Sequence, residues 1–473
     1  MKPDNPKKLN KRQIRSGLKN SIKDGASTGA ASGIISTYLT PFALALGASA
    51  AQIGLLAAIP QLLSTLMQPI AGSFTEHAES RKKVCKISLL IARLSWIPVI
   101  LAAFLSGFAA FYVILLFVSV SAAAASFARV GWASWMGDIV PEKIRGKYFG
   151  KRNMFIGASS FAAVLLAGWI LGFSDTMAGF VIIFLSALML YFAGLRYLLK
   201  MPESSAKIRA RHRASLNVSE FLTSMRKTNF RRFMLFAIVF DFSVYLAAPF
   251  FTVYMISELQ IGYYWFAIIS AASILAGLLS QKYWGKISDR YGDKNVMMIC
   301  AALASFVPLI FVFSRDVPLL VLANVFSGFA WAGLDLVTFN FLLDSSPPLK
   351  RPLFISNYQF FDGLAVAGGS IAGGILIFLM GTGFLWLSGI AAVFLLSSAL
   401  RGIFSAMLIP RIREERIKSR KMLPARDVFM RAVVLYPVRG ISHEIDYAHH
   451  CLACWEQKVK KEMKGVAKVM GVA

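Results

Sequence analysis

Long apolar stretches separated by short polar ones run along the chain from residue 24 to residue 409. Each stretch is close to the roughly 20 residues that an α-helix needs to cross the hydrocarbon core of a bilayer. A membrane β-barrel would instead give segments of about ten residues with alternating polarity, and the sequence contains none. The pattern therefore predicts an all-α polytopic membrane protein with twelve transmembrane helices, at residues 24–46, 51–73, 84–105, 109–135, 153–173, 177–199, 232–256, 263–284, 295–313, 317–341, 357–380 and 384–409.

Basic residues collect in the connections on one side of these helices. The six connections on the other side together contain a single Lys or Arg, which is Arg315. Because basic connections stay on the cytoplasmic face of a membrane, we expect a multi-pass protein of the cell membrane with both termini in the cytoplasm. This asymmetry, together with attraction to anionic lipid, accounts for most of the formal net charge of +27. We therefore do not expect nucleic acid as a partner.

The composition agrees with a membrane protein. Hydrophobic residues make up 57% of the chain and charged residues 16%, and the mean hydropathy is +0.61, whereas soluble proteins have about 25% charged residues. The four cysteines are too scattered for a disulfide framework. The stretch HHCLAC, with His449, His450, Cys451 and Cys454, offers metal-ligand types. A closed zinc site draws on two separated ligand pairs, so we expect no metal and no cofactor, and a surface stretch of a cytoplasmic helix instead.

The chain contains an internal repeat. Pro41 and Gln52 recur as Pro249 and Gln260, each 208 residues later. Two copies of six helices account for this, and because six is even both copies enter the membrane from the same side. The predicted division is a basic N-terminal segment, an N-terminal six-helix bundle, a cytoplasmic central loop, a C-terminal six-helix bundle and a cytoplasmic tail, at residues 1–23, 24–199, 200–231, 232–409 and 410–473.

A charged hairpin follows the second helix of each repeat. The second copy, GKISDRYGDKN from Gly285 to Asn295, resembles the Gly-x-x-x-Asp-Arg-x-Gly-x-Lys/Arg signature of the major facilitator superfamily. The first copy, GSFTEHAESRKK, departs from it, with His77 in place of the Arg and Glu79 in place of the second Gly. The resemblance covers roughly residues 20–410. It implies two pseudo-symmetric six-helix bundles that open a shared cavity to either side of the membrane in turn.

The resemblance also implies that the hairpins act as a cytoplasmic gate. Asp289 would meet the partly positive N-terminus of the helix starting near Asn357. The alternative is a solvated loop whose basic residues set the topology and which also carries acids. The candidate gate residues are Gly285, Asp289, Arg290, Gly292, Lys294, Gly72, Glu76, Arg81, Asp138, Arg145, Asp344 and Arg351.

Five charged residues fall inside the predicted helices: Arg93, Arg129, Asp241, Asp335 and Arg401. A charge at mid-bilayer costs about 2.5–3.5 kcal/mol on insertion scales, so each needs a reason. Arg93 and Arg401 fall on helices that the family places at the periphery, where snorkelling or a structural pair would explain them. The other three fall on helices that line the central cavity in the family.

Those three charges have a functional and a structural interpretation. Arg129 would orient an anionic group, while Asp335 or Asp241 would bind a cation or take a proton. Alternatively, an Arg–Asp pair closes the two halves, or Arg129 reaches Glu76. Neutral hydrogen bonds to a solute could come from Gln61, Asn340, Tyr245 and Gln359.

Glycines at four-residue spacing predict close helix packing. Gly25, Gly29 and Gly33 share one helical face, as do Gly369 and Gly373. Small residues at this spacing let helices approach closely in a membrane, where water supplies no driving force between them.

These features predict a secondary transporter that moves a small solute by alternating access, with a proton as the candidate coupling ion, working as a monomer. The sequence has no Walker-type phosphate loop, no His-Glu-x-x-His and no Gly-x-Ser-x-Gly, so neither ATP-driven transport nor an enzyme is expected. The alternatives are a receptor or assembly scaffold with a transporter-like fold and, ranked last, a membrane-embedded enzyme.

Overall fold

The computed structural model of the protein describes residues 10–78, 80–105, 107–141, 144–174, 176–203, 229–346, 351–381 and 388–414. Residues 449–454, most of the predicted central loop and most of the predicted tail lie outside these ranges.

The described residues form twelve long helices and no strand, which confirms the all-α fold. They are α1 (Lys11–Ala45), α2 (Ala50–His77), α3 (Arg81–Leu94), α4 (Phe108–Ile139), α5 (Arg145–Phe173), α6 (Thr176–Leu199), α7 (Asn229–Tyr245), α8 (Tyr263–Tyr291), α9 (Asp293–Phe313), α10 (Val317–Asp344), α11 (Arg351–Met380) and α12 (Gly389–Leu408). After short breaks, α3 continues to Phe104 and α7 to Glu258.

Eleven of these helices, α2 to α12, are long and apolar enough to cross a membrane. The twelfth, α1, is rich in Gly, Ser and Thr, which lowers its hydropathy. Its 35 residues span about 52 Å at 1.5 Å per residue, more than a bilayer core requires.

Several helices begin earlier than predicted. The predicted starts at 24, 153 and 357 become Lys11, Arg145 and Arg351. In α1, Asn10 and Gln13 form a capping box that fixes the start. The sequence pattern missed these first turns because they are polar, while hydropathy locates only the part of a helix that lies in hydrocarbon.

The two ends of the molecule are distinguished by charge. We call the end where α1 begins and α12 ends the basic end, since Arg81 and Arg145 also begin their helices there. The opposite end, where α1 ends and α2 begins, is the far end.

Glycines set the contact between α1 and α5, as predicted. A Cβ on Gly29 would lie 2.7 Å from the carbonyl oxygen of Ile156, and one on Gly33 would lie 2.3 Å from Ser160 Oγ. A Cβ on Gly25 would lie 3.0 Å from Arg152 Nε. The two helices can touch along three turns because these positions carry no side chain.

The break in α7 is stabilised from α12. Pro249, which has no N–H to donate to the carbonyl of Tyr245, follows the end of the helix. Ser397 Oγ donates to the carbonyl of Ser243 at 2.5 Å, and Arg401 Nη2 donates to the carbonyl of Val244 at 3.1 Å. Gly369 and Gly373 let α11 pack against the same break, which confirms the predicted close approach there.

The buried side chains form three clusters that reveal the conformation. The far-end cluster joins both halves, with Tyr38 and Phe180 from the first and Phe266 and Phe394 from the second. At the basic end each half has its own cluster, one containing Trp135 and the other Trp284, and these two share no residue. The described residues are therefore packed together across the halves at the far end and packed separately within each half at the basic end.

Candidate functional site

An acidic cavity of about 220 Å³ lies between the two halves. Gln61 of α2 lines it from the first half, and α7, α10 and α11 line it from the second. Its lining residues are Gln61, Phe236, Ala237, Phe240, Asp241, Tyr245, Trp331, Leu334, Asp335, Thr338, Tyr358, Asp362 and Val366. The polar groups thus converge on a space walled by aromatic rings, the usual character of a small-molecule site.

Three carboxyl groups in this cavity lie at a similar depth. Asp241 is 12 residues from the start of α7, Asp335 is 9 from the end of α10, and Asp362 is 11 from the start of α11. At 1.5 Å per residue these positions lie roughly 14–18 Å from the basic end, close to the middle of a hydrocarbon core about 30 Å thick.

Two of these carboxyl groups contact each other. The side chains of Asp241 and Asp362 lie within hydrogen-bonding reach of each other. A hydrogen bond between two carboxyl groups requires one of them to carry a proton, because an ionised carboxylate is an acceptor only. The positive charge of Arg401 lies close enough to act on Asp241. The two carboxyl groups are therefore placed so that one proton can be shared between them.

Six of the seven predicted cavity residues fall into three groups, and the seventh, Arg129, lines the second cavity described below. Asp241, Asp335, Gln61 and Tyr245 line the acidic cavity. Asn340 instead donates a hydrogen bond to Asp293 of the α8–α9 hairpin. Gln359 is exposed and is not among the residues lining this cavity.

The sequence interpretation overlooked Asp362, together with Trp331 and Tyr358. Asp362 lies six residues inside the predicted helix 357–380, as a carboxyl group at membrane depth. The rule that an intramembrane charge marks a functional site would have found it.

A second cavity, of about 320 Å³, lies within the first half and carries the arginines. Its lining residues are Asp24, Thr28, Leu89, Ala92, Arg93, Trp96, Ser121, Ala125, Ala128, Arg129, Trp132, Arg152, Tyr191 and Leu198. Arg129 and Asp335, which the repeat places at equivalent positions, line different cavities, so the predicted Arg–Asp pair closing the halves is absent from these described side chains. Arg129 instead donates to Ser64 Oγ at 2.5 Å.

Neither of the two peripheral arginines snorkels to a surface. Arg93 is 2% exposed and lies over the Tyr191 ring, 5.5 Å from its centroid. Arg401 is 3% exposed and donates to the carbonyls of Ala304 and Val244 at 2.9 and 3.1 Å. Burial of both guanidinium groups corrects the snorkelling interpretation; for Arg401 the structural interpretation holds.

The hairpin between α8 and α9 turns on a single residue. Gly292 has φ +90°, a conformation that costs other residues conformational strain but is open to glycine. The buried acid beside this turn is Asp293, which accepts hydrogen bonds from Ser288 Oγ and from Asn340 Nδ2. Asp289 is exposed.

The predicted start near Asn357 of the helix that Asp289 was expected to meet is wrong. The helix α11 begins six residues earlier, at Arg351, and Asn357 is fully buried within it. Among the other expected gate residues, Arg145, Arg290 and Asp344 are also exposed. The side chains of Glu76, Asp138 and Arg351 lie outside the described part of the chain.

The hairpin is instead tied to the end of its own half. The backbone N–H of Lys294 donates to Glu414 Oε2 at 2.8 Å, and Lys294 Nζ donates to the carbonyl of Pro410 at 2.9 Å. The first half repeats this arrangement: the N–H of Lys82 donates to Glu203 Oε1 at 3.1 Å, and Lys82 Nζ donates to the carbonyl of Met201 at 2.8 Å. A carboxylate thus caps the N-terminus of α3 and of α9.

Replacing Glu414 by Gln is expected to lower the free energy of unfolding by about 1–2 kcal/mol, because the charged acceptor at the start of α9 is lost. Glu203→Gln should have a similar effect through α3. Thermal unfolding of the purified protein measures both, and Asp344→Asn, which changes an exposed carboxyl group at the end of α10, serves as the control. Equal unfolding temperatures for all three variants and the wild type would contradict this role.

Comparison with known proteins identifies the fold. The model of the family described as Major Facilitator Superfamily matches residues 25–240 and again residues 233–442. The arabinose-proton symporter of Bacillus subtilis (strain 168) is 25% identical over 100 residues, which is 21% of this chain and only 22% of that protein.

Solved structures match over most of the chain. The nucleoside transporter NupG superimposes with a TM-score of 0.66 at 16% identity, covering 83% of this chain and 98% of that one. The xylose transporter XylE from E. coli, in a partially occluded inward open conformation, gives 0.64 at 14% identity, covering 86% and 100%. At these identities the likeness establishes the fold, and the two matched halves agree with the two copies in the sequence.

Proposed function

The chain belongs to the major facilitator superfamily, and on that premise we propose that it is a secondary transporter that moves a small hydroxyl-rich solute through the acidic cavity, driven by protons. The observation that carries the proposal is the cavity itself. Three carboxyl groups and a glutamine converge at mid-membrane depth where the two halves meet.

The cavity lining favours a polar ring over an apolar drug. Carboxyl groups, Gln61 and Thr338 accept or donate the hydrogen bonds that a polyol presents. Trp331 and Tyr358 offer flat apolar faces beside them. The described residues lining this cavity include no Lys or Arg, which disfavours an anionic solute. The symporter and transporters that the chain resembles are named for arabinose, xylose and nucleosides, which have hydroxyl-rich rings.

Coupling would run through the Asp241–Asp362 pair. While the pair holds a proton, the cavity carries one negative charge fewer, so the loaded carrier can reorient at a lower desolvation cost. Loss of the proton towards the basic end leaves two charged carboxylates facing each other, which favours a wetter, open cavity. Arg401 acts as a positioning residue, because it fixes the broken α7 that carries Asp241.

Alternating access would exchange the packing at the two ends. The far-end cluster joins the halves, while each buried apolar cluster of the described residues at the basic end lies within one half. In the opposite state the hairpins at the basic end would meet across the halves, and the gate role of Asp289, Arg290 and Lys294 remains a prediction for that state.

The same proposal includes the topology. Both termini would lie in the cytoplasm of a monomeric, multi-pass protein of the cell membrane, with bundles at residues 24–199 and 232–409 joined by a cytoplasmic loop. The conformation described here would then face the cytoplasm.

The test is uptake into proteoliposomes of the purified full-length chain. Radiolabelled pentoses, hexoses and nucleosides are offered with and without an imposed inward proton gradient. We expect at least one of these solutes to accumulate several-fold above its external concentration only when the gradient is present, with collapse after a protonophore. Specific, saturable binding of such a solute without any uptake or exchange would support a receptor instead and overturn the transporter.

A further inference from the structure

We propose that the arginine-lined cavity of the first half is a binding site for an oxyanion, a phosphate or carboxylate group, distinct from the acidic cavity. It lies among α1, α3, α4, α5 and α6, whereas the acidic cavity is formed by α2, α7, α10 and α11. The arginine-lined cavity therefore carries the opposite charge to the acidic cavity and is formed by a different set of helices.

The main evidence for a ligand is the incomplete hydrogen bonding of Arg93. Its side chain is 98% buried and lines the cavity, yet its Nε and Nη1 atoms have no hydrogen-bond partner. Burying a guanidinium group with donors unsatisfied is costly. A guanidinium group binds carboxylate and phosphate oxygens bidentately along two planar edges, Nε with Nη2 and Nη1 with Nη2, so each unpaired atom of Arg93 belongs to one such edge.

Arg401 provides the comparison within the same molecule. It is equally buried and its Nε also lacks a partner, but both of its Nη atoms donate to backbone carbonyls. The fold therefore satisfies most of this buried guanidinium group with its own backbone. At Arg93, which lines a cavity, no such backbone carbonyl accepts from Nε or Nη1.

The charges around Arg93 remain unbalanced. The cavity holds Arg93, Arg129 and Arg152 against a single acid, Asp24. Asp24 pairs with Arg152 at 3.8 Å, a distance too long for a strong hydrogen bond, and Arg152 also lies over the Trp132 ring at 4.3 Å. Two positive charges therefore remain for a ligand of one or two negative charges.

The cavity is shaped for more than an isolated ion. Its volume of about 320 Å³ exceeds what a single phosphate needs, and Trp96, Trp132 and Tyr191 wall it beside the arginines. An anionic head with an apolar or aromatic body fits this combination, since rings favour both stacking and cations. The same chemistry is present in a small organic acid and in the headgroup of an anionic lipid.

The experiment measures thermal unfolding of the purified full-length protein in detergent, in chloride buffer, with added inorganic phosphate or benzoate. We expect one of these anions to raise the unfolding temperature of the wild type, with an apparent affinity that Arg93→Gln lowers about tenfold or more. Arg93→Lys keeps the charge but loses the fork and should also bind more weakly. Arg196→Gln, which removes an exposed arginine from α6, is the matched control and should respond like the wild type.

A second measurement distinguishes the two sources of the anion. Phospholipid that co-purifies with each variant is extracted and its phosphorus counted per protein. Anionic lipid retained by the wild type and lost in Arg93→Gln, with no response to free anions, would assign the site to a headgroup and support the proposal. Equal retention with no response to either anion would overturn it.

A third readout separates a ligand site from a structural arginine. Without ligand, Arg93→Gln should unfold at the same temperature as the wild type or higher, because an incompletely paired buried charge is removed. A marked fall in that temperature would identify Arg93 as structural and overturn the proposal.

Discussion

Asp241→Asn is expected to abolish proton-driven accumulation of the solute while leaving solute exchange across the membrane measurable. An amide keeps the shape and one acceptor of the carboxyl group but cannot take up and release a proton. In this variant Asp362 would no longer have a second titratable carboxyl group beside it. Where the solute itself bonds to this group, affinity should also fall about 10- to 100-fold, the cost of one charged hydrogen bond.

The measurement compares two assays on the same proteoliposomes. Accumulation driven by a pH gradient should fall to background, and counterflow between equal pH values should continue without pH dependence. Asp362→Asn should behave alike, since the two residues share the proton. Asp316→Asn is the matched control, because that carboxyl group directly precedes α10 at the far end and is exposed. Gradient-driven accumulation that survives in both Asp241→Asn and Asp362→Asn would exclude the pair from coupling.

Gly168→Leu is expected to prevent closure of the far end and to slow transport strongly. A Cβ at this position would lie 2.0 Å from the Cβ of Ala267 and 3.2 Å from the carbonyl oxygen of Tyr263. Gly168 is on α5 and both neighbours are on α8, so the added side chain would push the two halves apart. Overpacking costs about 1–3 kcal/mol, enough to shift a two-state equilibrium roughly 5- to 150-fold.

Cysteine labelling detects this shift. Ala271, buried in the far-end cluster one turn from Ala267, is replaced by Cys after the four native cysteines are removed. A membrane-impermeant maleimide should modify it at least several-fold faster in Gly168→Leu than in the parent. Gly172→Leu is the control on the same helix, where a Cβ would lie an ordinary 3.5 Å from Tyr264. Equal labelling of the two glycine variants would show that far-end closure does not depend on this contact.

Much of the fold followed from the sequence because hydropathy and charge asymmetry act locally along the chain. Twelve apolar stretches became twelve helices, and Gly25, Gly29 and Gly33 met α5 as their spacing predicted. The first turn of α5, from Arg145, was missed, because a polar turn that projects from the bilayer has the same composition as a loop.

The candidate site was predicted less completely. Asp241 and Asp335 were identified because a charge in hydrocarbon is conspicuous, and both line the acidic cavity. Asp289 was chosen over Asp293 from the family signature, whereas Asp293 is the buried hairpin acid. The sequence gives no measure of which of two neighbouring carboxyl groups turns inward.

The sequence by itself determined a twelve-helix membrane protein in two copies, with its basic connections on one side and charges at mid-membrane depth. Those properties depend on the free energy of transferring each residue from water to lipid, which is a sum over local composition. Only the tertiary structure decided which charges meet. It separated Arg129 from Asp335, brought Asp362 to Asp241 and left two nitrogens of Arg93 without a partner beside a cavity. The rotation of each helix and the packing of helices distant in sequence determine those contacts, and neither can be deduced from a single segment of the sequence.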